Sequence, residues 1–300
     1  MKAVVLHEID NLDSLTDDEV PAPTIGRDEL LVQAHAQAVD PVDYKIAAGM
    51  LESETPLILG STVAGEVIAV GEAVTDFKVG DRIAAQVRSG ANYAEQVAVP
   101  THFAAIIPAN VSYVDAVSVV LGGQTALQAI NRGLHVSAGQ KVLIHGGSGA
   151  VGYVAVQLAI AAGAEVATTA SGWGAEMLRQ QFPNVQVFDY RADDFTTSLH
   201  DFDGVLDTVG ADQVLADSYK ILKPSGKLAS VVARQSDDSR FVRLINKPEG
   251  VNLQVLFSKL ADGTLRTVID STLPLNAENV RMAYAKIKAG GLHGKLVFTD

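Results

Sequence analysis

The residues whose types and spacing speak most directly to chemistry lie in Val142-Leu143-Ile144-His145-Gly146-Gly147-Ser148-Gly149-Ala150-Val151-Gly152, where an apolar run ends in closely spaced glycines and a helix-forming run begins. The pattern reads as strand, tight turn and helix start. Gly147, Gly149 and Gly152 fall at G-x-G-x-x-G spacing. In that pattern the first glycine permits the turn, the second lets backbone approach a pyrophosphate, and the third lets helix pack on strand. Amides around Ser148, Ala150 and Val151 at the new helix N-terminus then face phosphates and favour their negative charge. A buried packing turn can also carry glycines. Here Tyr153 to Ala162 is alanine- and valine-rich, and Gly163 stops it before β-prone Glu165 to Thr169, which supplies the βαβ context that a dinucleotide site requires.

The elements that position this turn change character along the chain. Residues 1–115 read as β-rich, with short runs at Lys2 to His7, Glu29 to Ala36, Ser61 to Val70, Arg82 to Gln86, Tyr93 to Val99 and His102 to Ile107, punctuated as a compact barrel would be. One helix is expected near Asp40-Pro41-Val42-Asp43, with Asp40 as cap and Pro41 at the first helical position. From about Val111 the pattern becomes helix, strand, helix, with helices at Val114 to Leu121 and Thr125 to Asn131 and further strands at 186–188, 204–207 and 227–232. A parallel, doubly wound α/β sheet follows over 116–264. The tail, 265–300, carries a helix near 279–289 and a terminal strand at 294–298, and is expected to rejoin the first domain. Arg234 to Arg240 reads as a polar loop.

Bulk properties exclude several classes. The net charge of −12 disfavours nucleic acid and anionic lipid as partners. No run reaches membrane-spanning length, and Met1 to Leu6 runs straight into His7 and Glu8, so a cytosolic protein is expected. With no cysteine there can be no disulfide, thiol nucleophile or thiolate metal site. The seven histidines are too scattered for a local metal motif.

The order of these pieces resembles the medium-chain dehydrogenase/reductase superfamily, in its zinc-independent quinone oxidoreductase branch. Asp40-Pro41-Val42-Asp43-Tyr44-Lys45, Pro56 to Gly65 with Gly71, Val79-Gly80-Asp81-Arg82, Gly122-Gly123-Gln124-Thr125-Ala126, the glycine turn, Asp207-Thr208-Val209-Gly210 and His293-Gly294-Lys295 carry the resemblance over nearly the whole chain. Asp40 stands where Asn is common; Ala150 and Ile160 also depart from the branch signature. The resemblance implies a Rossmann sheet plus a GroES-like β-barrel domain, a homodimer formed through the nucleotide domain, and hydride transfer to a small electrophilic acceptor, a quinone or an α,β-unsaturated carbonyl. Where zinc-dependent relatives carry Gly-His-Glu this chain has Gly60-Ser61-Thr62, and Asp40 replaces the cysteine. Without a Lewis acid, the acceptor must be activated by its own conjugation.

NADPH is the expected cofactor. The strand after the glycines ends Thr168-Thr169-Ala170-Ser171-Gly172-Trp173, with no acidic residue before Glu176 to accept ribose hydroxyls or repel a 2′-phosphate. Ser171 can donate to that phosphate; the resemblance adds Tyr190, whose alternative is a packing residue at a strand end, and Arg191 or Arg179 as counter-charges. Thr208, Val209, Val231 and Val232 stand at strand carboxyl ends, where such sheets bind ligands. The resemblance also places Tyr44 and Lys45 before the nicotinamide as proton or hydrogen-bond donors, their alternatives being a core lid and a surface lysine. Thr125 either bonds the nicotinamide amide or starts a helix, and His293 and Asp40 read as structural. A non-enzymatic NADPH-binding sensor or structural protein and an enoyl-thioester reductase are the competing readings on this fold.

Overall fold

The computed structural model describes residues 1–87, 91–232, 235–290 and 292–300. The chain divides into two compact units, one of Met1–Leu121, Pro248–Gly263 and Thr267–Asp300, the other of Gly122–Lys247 and Thr264–Arg266.

The second unit is built on six parallel strands, in the order Gln186–Asp189, Glu165–Ala170, Lys141–His145, Phe202–Asp207, Leu222–Ser230 and Phe241–Arg243. Lys141–His145 comes first in the chain and lies inside the sheet, so the strand order reverses between it and Phe202–Asp207. Connections diverge from such a switch point and leave a crevice beyond the carboxyl ends of the strands. Val142, Leu143 and Ile144 are at most 1% exposed, as a strand covered on both faces must be. The helix Ala150–Ala161 is buried without a break from Gly152 to Ala159, which explains why its sequence, Gln157 apart, is apolar on every side.

In the first unit the strand Glu29–Ala38 alternates strictly at its start, turning Leu30, Val32, Ala34 and Ala36 inward. It pairs antiparallel with Thr62–Val70, Gln96–Pro100 and Lys295–Thr299. Register shifts between Leu31 and Val32 and between Ala34 and Ala36 bend it, so that its two halves serve different neighbours. Leu30, Val32, Val63, Val67, Ile83, Val97 and Val99 fill one core; Val4, Leu6, Tyr93, Tyr284 and Phe298 fill another. Lys295–Thr299 and the helix Ala277–Ala289 belong to this unit.

Two expectations need correction. The helix Gly250–Ala261 belongs to the first unit rather than to a nucleotide domain ending at 264. It lies so close to the strand Ala104–Ile106 that a Cβ on Gly250 would sit 2.3 Å from the Ala104 carbonyl oxygen, and Asn110 donates to its last carbonyl, that of Ala261, at 2.8 Å. Gly122 and Gly123 do not separate two helices either. Both lie inside Val120–Gln128, where the missing side chain of Gly122 admits the Ala150 carbonyl, 3.0 Å from an ideal Cβ. Of the polar stretch 234–240, Arg234 lies outside the described residues; further on, Arg240 forms a bidentate pair with Asp238.

Candidate active site

The glycine turn is shaped by contacts on each of its faces. Gly146, rather than Gly147, adopts the left-handed backbone, with φ +71°. Gly147 is needed for closeness, since a Cβ there would lie 2.0 Å from Thr168 Oγ1. A Cβ on Gly152 would lie 2.2 Å from the Gly146 carbonyl oxygen. Three threonines pin the strand end and turn: Thr168 donates to the Ile144 carbonyl at 2.7 Å, Thr208 donates to the His145 carbonyl at 2.7 Å, and the Thr169 carbonyl accepts from Gly147 N–H at 3.0 Å.

Gly149 caps the following helix without a side-chain bond, and the first intrahelical bond runs from Tyr153 N–H to its carbonyl at 2.9 Å. The amides of Ala150, Val151 and Gly152 therefore stay outside the helix ladder. Gly149 and Ala150 are exposed, and Ser148 and Val151 are half-buried. A side chain on Gly149 would meet only the Gly146 carbonyl oxygen, at 3.3 Å, so the space beside Gly149 is open. Such an end attracts anionic oxygens. Ser148 lies against Gly174, whose absent Cβ would come within 2.5 Å of its Oγ.

The same end of the sheet collects most of the expected binding residues. Ala170 is paired with Asp189, so Ser171 and Tyr190 leave adjacent strands side by side. Tyr190 is 59% exposed, and the Arg191 guanidinium stands 5.8 Å from its ring centre. Arg179 is engaged elsewhere, donating to the Val187 carbonyl at 3.1 Å. Thr125 is buried in the middle of Val120–Gln128, not at a helix start. Asp207 stood in the sequence as a strand end and as part of the motif Asp207-Thr208-Val209-Gly210, with no role of its own, yet it organises the adjoining loop. Fully buried, it accepts from Val209 N–H and Gly210 N–H at 2.9 Å and from the Ser230 hydroxyl at 2.6 Å, while its carbonyl takes Val231 N–H at 3.1 Å. Thr208, Val209 and Val231 are held at this end in consequence. The signal was there in Asp207-Thr208-Val209-Gly210, an aspartate two and three residues before amides it can receive.

The first unit holds a separate buried polar cluster. Asp40 and Asp43 open the short helix Pro41–Ala47, and the Asp40 amide donates to Asp43 at 3.1 Å. Ser61 and Tyr93 also donate to Asp43, at 2.5 and 3.2 Å, and Thr62 donates to Asp40 at 3.1 Å. The Lys295 ammonium forms an ion pair with Asp40. Burial, then the charge of Asp40, push the Asp43 carboxyl up to about 7, against the pull of Ser61 and Lys295; burial and Asp43 also push the Tyr93 and Tyr284 phenols up. A divalent metal does not fit this donor set. Both Asp40 oxygens are engaged, one by the Thr62 hydroxyl and the other by the Lys295 ammonium, which already brings a positive charge to the cluster.

Tyr44 packs edge-on against Tyr284 with ring centres 5.8 Å apart, whereas Lys45 is exposed; the helix thus presents the two expected donors to different surroundings. His293 is exposed, and its amide donates to Asp270 at 2.9 Å.

The cluster carries a pH prediction. With its folded pKa raised, Asp43 binds a proton in the folded state that the unfolded chain has released, so stability falls as pH rises from about 4 to about 7 and levels off above. Melting temperatures from pH 5 to 8 are expected to drop for the native chain relative to Asp43→Asn, and parallel curves would remove Asp43 as the cause.

A parallel sheet with an open phosphate-type turn at its switch point, in one chain with a bent antiparallel unit, defines the class of two-unit, nucleotide-linked dehydrogenases and reductases. Family comparison agrees. The alcohol dehydrogenase GroES-like domain model matches residues 26–109, and the zinc-binding dehydrogenase model matches 185–298. The chloroplast envelope quinone oxidoreductase homolog of Arabidopsis thaliana is 30% identical over 93% of this chain and 92% of its own length. The chloroplastic NADPH-dependent alkenal/one oxidoreductase of the same plant is 29% identical over 99% of this chain and 79% of its own. The quinone oxidoreductase from Coxiella burnetii superposes with a TM-score of 0.90 at 29% identity, covering 100% of this chain and 99% of that one. The chain belongs to the medium-chain dehydrogenase/reductase superfamily, in its zinc-independent quinone oxidoreductase branch. Among the described residues, no helix is long and apolar enough to cross a membrane.

Proposed function

We propose that this protein is an NADPH-dependent reductase of quinones or α,β-unsaturated carbonyls. The observation that carries the reading is the open helix N-terminus at Gly149, where no side chain caps the helix, the first amides lie outside its ladder, and Gly149 and Ala150 are exposed. Relatives named for quinone and for NADPH-dependent alkenal reduction support it. These amides hold the pyrophosphate. Ser171 and the exposed pair Tyr190 and Arg191 take the 2′-phosphate, by hydroxyl donors and a guanidinium. Thr208, Val209 and Val231 line the nicotinamide ribose, and Thr125 the carboxamide end. When bound, the nicotinamide supplies the hydride.

Hydride addition to a conjugated acceptor leaves an enolate or hydroquinone oxyanion, which a donor must steady and a proton must neutralise. Tyr44 or Lys45 supplies that donor. Tyr44→Phe and Lys45→Ala are each expected to lower kcat about tenfold while sparing NADPH affinity; unchanged rates in both would remove the pair from the site.

The test is calorimetric binding of NADPH and NADH, followed by NADPH consumption with 1,4-benzoquinone, a simple enone and enoyl thioesters of increasing chain length. Tight NADPH binding with turnover of quinone or enone supports the proposal. Binding without turnover of any acceptor would make the chain a cofactor-binding protein, and steep chain-length dependence would make it a thioester reductase.

A further inference from the structure

His145 ends the strand that feeds the glycine turn, and it is 2% exposed. Its surroundings determine the place of every proton. The Val214 carbonyl can only accept, so the Ser218 hydroxyl, 2.5 Å away, donates to it. Having spent its proton, Ser218 must accept from His145 Nε2–H at 2.9 Å. Burial lowers the imidazole pKa to about 4, which leaves the ring neutral with a bare Nδ1. The Thr169 hydroxyl, 3.1 Å from Nδ1, therefore donates to the ring, and its oxygen receives Gly146 N–H at 3.3 Å. Thr169 thus holds two consecutive amides of the turn, that of Gly146 through its hydroxyl and that of Gly147 through its carbonyl.

We propose that His145 is a positioning residue for the phosphate-binding turn. A one-directional chain, Gly146 to Thr169 to His145 to Ser218 to Val214, fixes the turn's first amides against the second strand and the helix Asp212–Ile221, and so sets affinity for the pyrophosphate part of a dinucleotide. The opposite ring tautomer would take the imidazole acceptor from the Thr169 hydroxyl and the Ser218 proton from the Val214 carbonyl, in a site where Thr169, His145 and Ser218 are at most 3% exposed, so this direction of the chain satisfies more of its buried groups. The inference rests on the reading of the turn as an NADPH site.

The test uses two probes on the full chain, NADPH and 2′-AMP, the latter lacking the pyrophosphate. Thr169→Val removes the hydroxyl that joins Gly146 to His145 while preserving shape and the Gly147 bond. NADPH is expected to bind it about tenfold more weakly, the equivalent of one hydrogen bond, with 2′-AMP affinity unchanged. Thr169→Ser restores the hydroxyl and is expected to recover native NADPH affinity, and Ser218→Ala, which strands the Nε2–H, is expected to repeat the selective loss. Native NADPH affinity in Thr169→Val would overturn the proposal. So would a parallel loss of both ligands, which would mark a general loosening of the fold. If the native chain binds 2′-AMP but not NADPH, the cofactor reading itself fails and the proposal falls with it.

Discussion

Gly152→Ala is expected to lower kcat/KM for NADPH at least about 100-fold, equivalent to about 2.7 kcal/mol, and to cost about 1–3 kcal/mol of stability. The added methyl would lie 2.2 Å from the Gly146 carbonyl oxygen and 2.9 Å from Gly147 Cα. Neither backbone atom can yield without moving the turn. The helix Ala150–Ala161 must then lift from the strand Lys141–His145, which carries its amides away from the phosphates. Gly149→Ala provides the contrast. At φ −80° and ψ 168° the backbone there suits any residue, and the new methyl meets only the Gly146 carbonyl oxygen, at 3.3 Å. That variant is expected to melt close to the native temperature and to lose NADPH affinity through occupation of the phosphate space. Melting curves and NADPH titrations on both variants separate packing from binding, and a Gly152→Ala protein with native affinity would show that the turn holds no phosphate.

Lys295→Met is expected to destabilise the fold by about 3–5 kcal/mol, the penalty for leaving a buried charge without its partner. Lys295 is 7% exposed, and Asp40 and Asp43 are each 1% exposed. Its removal leaves two carboxyl groups joined through the Asp40 amide, with neutral donors, the hydroxyls of Ser61, Thr62 and Tyr93 among them, in place of a cation. Asp43 is then driven further toward its protonated form, and the loss is expected to be smaller at pH 5 than at pH 8. Denaturant melts at the two pH values measure it. The double variant Lys295→Met, Asp40→Leu removes both ends of the pair and is expected to recover much of the loss. A double variant no better than the single one would mean that packing around the lysine stem, rather than charge, holds the terminal strand Lys295–Thr299 in place.

Much of the nucleotide unit was readable from order and spacing. The apolar run into glycines, the alanine-rich helix and the second β-prone run each satisfy a local rule, and together they admit one arrangement. Elements that obey their neighbours more than their own composition were not readable. Leu15–Glu19 contains three acidic residues and lacks a strand's usual composition, yet it pairs residue for residue with Lys2–Leu6 and buries only Leu15, while Asp18 meets His7 and Asp17 accepts the Ala277 amide. Gly250–Ala261 follows the nucleotide unit in sequence but packs on Ala104–Ile106, a contact across almost 150 positions that no local pattern encodes.

The division holds at the candidate site as well. Sequence by itself determined the βαβ turn, the absence of thiolate metal ligands and the lack of an acid after the second strand, because each depends on residue type at a short fixed spacing. It could say that glycines were needed, but not that Gly146 would take the left-handed backbone while Gly147 and Gly152 gave way to Thr168 and the Gly146 carbonyl. Only the tertiary structure brought Lys295 to Asp40, and His145 to Thr169 and Ser218. Burial and hydrogen bonding join residues far apart in the chain, and the energy of a buried polar group is set by the partners it meets there rather than by its neighbours in sequence.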